Sequence, residues 1–142
     1  MKNHRVASRD EWLTARQALL AKEKAFTRMR DELSRERREL PWEKVEKSYT
    51  FDTPGGAETL GALFSGKSQL IVYHFMFDPE WQDGCKSCSF WADNYNGIIA
   101  HLNQRDVSMV TISKAPLAKL EAFKIRMGWT FKWVSSFANT FS

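Results

Sequence analysis

Cys85 and Cys88 are the only cysteines among 142 residues, and they sit two residues apart in the stretch "DGCKSCSFWADN", residues 83–94. Cys-X-X-Cys spacing suits three kinds of chemistry. As a redox dithiol, the outer thiolate attacks a disulfide and the inner one resolves the mixed disulfide. As half of a metal site, the pair needs two further ligands to close a zinc tetrahedron. The third possibility is two small inert thiols in a core. His74 and His101 are the candidates to complete a metal site, but they lack the short paired spacing of a zinc finger. A histidine in an apolar strand, as at position 74, reads as a core residue. Gly84 and the polar residues around Cys85 argue against full burial of that thiol. The redox reading therefore leads, with Cys85 as nucleophile and Cys88 as resolving thiol. Unpaired backbone N–H groups at a helix start stabilise a thiolate, so thiols there titrate at ~3.5–7.5. Lys86 adds positive charge and Asp83 opposes it. Trp81, Lys86 and Ser87 are candidates to line a substrate groove.

The elements around the pair read as α/β. "QLIVYHFMF" (69–77) is apolar on both faces and predicts a central strand. After the loop 78–84, "CSFWADNYNGIIAHLNQ" (88–104) predicts a helix whose apolar face includes Phe90, Trp91, Tyr95, Ile98, Ile99 and Leu102. Trp91 is expected to face the sheet, and Trp129 and Trp133 to fill the core. "VSMVTIS" (107–113) predicts a strand, Pro116 opens a helix running to Met127, and "TFKWVSSF" (130–137) predicts a last strand. Upstream, "KVEKSYTF" (44–51) alternates as a strand does, "TPGG" (53–56) is a turn, and "AETLGALF" (57–64) predicts a short helix. The order β-α-β-α-β-α-β implies a largely parallel sheet.

Residues 8–40 predict one long helix. Ser8 and Glu11 form a capping-box pattern, no Gly or Pro intervenes, and Pro41 stops it. Trp12, Leu19, Phe26, Leu33 and Leu40 recur every seven residues. Such a stripe calls for a partner, and a homodimer through helix 8–40 is expected. The domain division is thus 1–41, the amphipathic helix, and 42–142, the α/β domain.

Composition narrows the function classes. Apolar residues make up 43% of the chain and aromatics 13%, enough for a core. No apolar run approaches the ~18 residues of a membrane span, and "MKNHRVASRDEW" lacks a signal-peptide stretch. A cytoplasmic location is expected, where thiols are kept reduced. The net charge of +4 lies wholly in residues 1–44, with 12 basic against 8 acidic residues. The two signs interleave there, as on a solvated helix face, and nucleic-acid binding is not expected.

Five segments together resemble a known family: "RDEWLTARQALLAKEKAFTR", "ELPW", "YTFDTPGG", "QLIVYHFMFDPEWQDGCKSCSFWADN" and "RMGWTFKWVSSF". They resemble the bacterial domain-of-unknown-function 899 family of thioredoxin-like proteins, described as predicted dithiol–disulfide oxidoreductases. The resemblance implies a thioredoxin-like fold with Cys85 and Cys88 at the redox positions. It implies thiol–disulfide exchange with a protein or small-molecule disulfide and an external thiol reductant, and no cofactor. Family members continue past "WVSSF", where the fold adds an antiparallel hairpin and a final helix. The expected fold is therefore incomplete at its C-terminal end, with an open sheet edge that helix 8–40 or a second subunit could cover. Two other functions stay open. Loop 78–84 is long, as in peroxiredoxin-type thiol peroxidases, though "DPEWQDG" lacks the Thr and Arg of such a site. The chain could also be a binding or assembly module with vestigial cysteines.

Overall fold

The computed structural model describes residues 4–141. The chain separates between Lys44 and Val45 into two compact units. The first is a single helix, α1 (Arg9–Glu39). Its start is fixed by the expected capping box: the Ser8 hydroxyl accepts the Glu11 N–H at 3.3 Å, and the Glu11 carboxylate accepts the Ser8 N–H at 2.9 Å. Arg37 and Arg38 stand in the last turn, where the helix carbonyls favour positive charge. Ion pairs along the exposed surface, Arg16–Glu23 and Arg35–Glu39 among them, account for the interleaved charge. The helix buries none of its residues.

The second unit is an α/β domain. Its described elements are β1 (Thr50–Thr53), β2 (Gly56–Thr59), α2 (Leu60–Leu63), β3 (Gln69–His74), α3 (Lys86–Ala92), α4 (Tyr95–Asn103), β4 (Val107–Ser113), α5 (Leu117–Met127) and β5 (Trp133–Ser135). The five strands form one mixed sheet in the order β2-β1-β5-β4-β3. β3, β4 and β5 run parallel, with Gln69 opposite Val107 and Thr111 opposite Trp133. β1 is antiparallel to both β2 and β5. As the expected fold requires, β3 feeds a cysteine loop and helix, and the chain returns to the adjacent parallel strand β4.

Two aromatic and aliphatic clusters hold the sheet. Phe75, Phe77, Leu120, Phe123, Trp129, Phe131 and Trp133 belong to the first, together with Cys88 and Ala92 of α3. Phe51, Leu63, Val110, Ile112 and Val134 form the second. Trp133 and Val134, adjacent on β5, enter different clusters, as the period of two in a strand requires. Trp129 and Trp133 are core residues, as expected. The Trp133 indole donates to Ser113 Oγ at 3.0 Å, and Ser113 Oγ donates to the Phe75 carbonyl at 2.6 Å, linking β5 and β4 to the chain just beyond β3. Gly128 ends α5 with φ of 69°, the left-handed conformation that suits glycine after a helix.

Several sequence expectations are corrected. The sheet is mixed rather than largely parallel, because residues 50–59 form a hairpin: residues 57–59, expected to be helical, belong to β2 and pair with β1, and helix follows only from Leu60. The first strand begins at Thr50, not Lys44. β3 is not central. Among the described residues it pairs only with β4 and forms an edge of the sheet, while β4 is the buried strand. Its sequence misleads for a physical reason: Leu70 and Val72 pack on one cluster and Tyr73 on the other. Apolarity on both faces reports layers above and below, not the number of lateral neighbours. The expected helix 88–104 is two helices. At the break, Asp93 accepts the Trp129 indole N–H at 2.8 Å, and the Asn94 amide donates to the Phe90 carbonyl at 3.1 Å. No described helix is long and apolar enough to cross a membrane.

Candidate active site

The dithiol is built where the chain leaves β3. The segment after the strand dives into the core through Phe75 and Phe77, and the loop 78–84 then returns to α3. Two residues of α5 clamp that loop. The Lys119 ammonium donates to the carbonyls of Pro79 and Trp81, the latter at 2.8 Å, and Arg126 pairs with Asp83. Gly84 closes the loop against the core. A Cβ there would lie 2.5 Å from Cε1 of Phe75, so only glycine lets the backbone pass this close. Cys85 follows directly, its N–H donating to the Met76 carbonyl at 3.0 Å.

Cys85 is the N-cap of α3. Its sulfur accepts the backbone N–H of Cys88 at 3.5 Å, taking the place of a capping hydroxyl. The backbone N–H of Cys88, the Cys88 thiol and the N–H of Ser87 all favour the charged sulfur and hold the Cys85 thiol below its ordinary value against a smaller effect of burial. Cys88, one turn further in, is only 8% exposed and belongs to the aromatic core cluster. Burial pushes its thiol up, and a charged Cys85 alongside adds to this; the Met76 N–H and the Tyr73 hydroxyl act the other way. Both thiols are free. The turn thus presents one half-buried sulfur disposed to ionise and one sheltered sulfur that resists it, the asymmetry that sequential thiol–disulfide exchange needs.

The family described as "Bacterial protein of unknown function (DUF899)" matches residues 1–142. The chain belongs to this family. No curated protein matches it. Among solved structures, this DUF899 chain is similar to one titled "Solution structure of a putative protein disulfide isomerase from Bacteroides thetaiotaomicron", at 20% identity and a TM-score of 0.46. The match covers 68% of this chain and 58% of that one.

Of the residues singled out from sequence, the DUF899 domain brings Cys85 and Cys88 together in the first turn of α3. Ser87 acts through its backbone N–H rather than its hydroxyl. Lys86 is exposed and is not among the groups that lower the Cys85 thiol; that role falls to backbone donors. Trp81, 45% exposed, lines a groove of about 290 Å³ together with the segments 74–78 and 112–114, and neither cysteine is among the residues that line it. Two expectations fail. His74 is exposed at the sheet edge and stacks on Phe141 at 5.5 Å, so it is not a core histidine. Trp91 is 61% exposed and meets Phe90, also exposed, edge to face at 5.9 Å, so it does not face the sheet. Among the described residues no three His, Cys, Asp or Glu side chains could together hold a metal ion. Sequence reasoning missed Tyr73, Tyr95, Lys119 and Arg126. Tyr73 was within reach of it, since alternation along β3 sets residues 73 and 75 on the same face.

Proposed function

We propose that this chain carries out thiol–disulfide exchange through the Cys85–Cys88 dithiol. The Cys85 thiolate attacks a substrate disulfide, and one substrate sulfur leaves as a thiol. Cys88 loses its proton and attacks Cys85, the Cys85–substrate bond breaks, and a Cys85–Cys88 bond forms. The substrate disulfide gains two electrons and the dithiol loses two; an external thiol reductant restores the dithiol in a reducing cytoplasm. One observation carries this reading: within a single turn, the outer sulfur is held toward thiolate by backbone N–H groups and the inner one is sheltered. Substrates are protein or small-molecule disulfides. Cys88→Ser should accumulate mixed disulfides on Cys85, detected by mass spectrometry and lost in the Cys85→Ser, Cys88→Ser double variant. If Cys88→Ser traps no thiol partner but wild type consumes peroxide, the site is a thiol peroxidase instead.

The helix α1 and its C-cap leave Trp12, Leu19, Phe26, Leu33 and Leu40 exposed at seven-residue intervals. Burying each such side chain is worth roughly 1.5–3 kcal/mol. We propose that a second copy of α1 receives this stripe in a two-fold dimer. Light scattering over a concentration series should give twice the chain mass; a monomer at high micromolar concentration would refute the pairing.

A further inference from the structure

The inner cysteine poses a chemical problem. Cys88 is sheltered by the aromatic core, yet resolution needs its sulfur charged while it attacks. Burial disfavours that charge, so a donor must be at hand. Tyr73 is placed to supply one. It projects from β3 onto the cluster that contains Cys88, and its hydroxyl donates to the Cys88 carbonyl at 3.2 Å. That is longer than the ~2.7–2.8 Å usual for O–H···O, so the bond is weak and exchangeable. Tyr95 of α4 braces the ring edge to face at 5.0 Å and 86°. We propose that the Tyr73 hydroxyl is the side-chain hydrogen-bond donor that, beside the Met76 N–H, supports the Cys88 thiolate in the resolving step, with Tyr95 positioning it.

This rests on the exchange reading above and adds a residue to it. In the step, the Cys88 proton passes to water. The Tyr73 hydroxyl turns from the Cys88 carbonyl to the Cys88 sulfur. The thiolate attacks Cys85, the Cys85–substrate bond breaks, and the departing substrate thiolate takes up a proton. Tyr73 keeps its own proton throughout: burial raises its phenol well above the ordinary value, so it serves as a donor and not as a base. The titratable groups acting on the Cys88 sulfur are Cys85, the N-cap of α3, and Tyr73 of β3, while Tyr95 of α4 feels the Cys88 charge in turn.

A chromogenic aromatic disulfide separates the two steps, because attack by Cys85 releases one coloured thiol and resolution by Cys88 releases a second. Stopped-flow traces of the reduced wild type, Tyr73→Phe and Tyr95→Phe across pH make the test. Tyr73→Phe keeps the ring and its packing. The first release should be unchanged, which also reports an intact Cys85 site. The second should slow about tenfold, the scale of one hydrogen bond to a charged group, with its pH midpoint moved upward. Tyr95→Phe should slow it less. If wild type gives two releases through Cys88 and Tyr73→Phe leaves the second unchanged in rate and midpoint, the role of Tyr73 is refuted while exchange stands. If wild-type Cys88 gives no second release, both readings fall together.

Discussion

At the outer end of the first turn of α3, the Cys85 sulfur faces three favourable contacts from Cys88 and Ser87, two of them backbone N–H groups, and remains half-buried. At the inner end, one turn away, the Cys88 sulfur lies against the aromatic core, and burial dominates. The two residues are chemically identical and share a helix. Their difference comes from the donors of the turn itself at the outer end and from the aromatic cluster packed against its inner end. The contrast between the two thiols is therefore a property of placement, with the backbone donors at the helix start acting on Cys85 as expected and neither Lys86 nor Asp83 among the groups that shift it. Loop and core play unequal parts: the loop, clamped by Lys119 and Arg126, leads the chain to Cys85, and the aromatic cluster, with Tyr73 of β3 at its side, surrounds Cys88.

That comparison breaks most severely at Gly84. A Cβ in Gly84→Ala would come within 2.5 Å and 2.9 Å of two Phe75 ring atoms and 3.3 Å of Phe123. Both rings are locked in the core and cannot swing aside, so overpacking should cost ~1–3 kcal/mol. A lower urea midpoint would show it. Relief of the clash would lift the loop and with it Cys85, so the Cys85 thiol of the variant should titrate closer to an ordinary thiol while Cys88 stays slow to react. If Cys85 in the variant ionises as in wild type, the loop does not set its environment.

The sequence exposed some of this plainly. The capping box at Ser8 and Glu11 and the stop at Pro41 are local signals, and α1 forms within one residue of the expected span because nothing distant is needed to specify it. The dithiol and its place at a helix start were equally local. The hairpin 50–59 was harder, since residues 57–59 become a strand only through pairing with β1, a contact that "AETLGALF" does not announce. The edge position of β3 was hidden for the same reason: a pattern along one strand records its faces, not its neighbours. The break at Asp93 and Asn94 contains no Gly or Pro; it depends on the Trp129 indole, 36 residues away in the chain. The Tyr73 contact at Cys88 likewise bridges 15 residues of loop and helix. What remained illegible was long-range, and it includes the groups that shelter Cys88.

The most direct measurement of that differentiation is competitive alkylation of the reduced protein across pH, with each cysteine followed by peptide mass mapping. Cys85 should label first, with a midpoint below the ~8.5 of an unperturbed thiol, because donors from the first turn stabilise its charged form. Cys88 should label slowly and gain rate only on the alkaline side of that value, because burial opposes its ionisation. Near neutral pH the ratio should strongly favour Cys85 and narrow as pH rises. Faster labelling of Cys88, or two thiols that both titrate as free peptide thiols do, would contradict the assignment of Cys85 as the attacking sulfur and Cys88 as the resolving one.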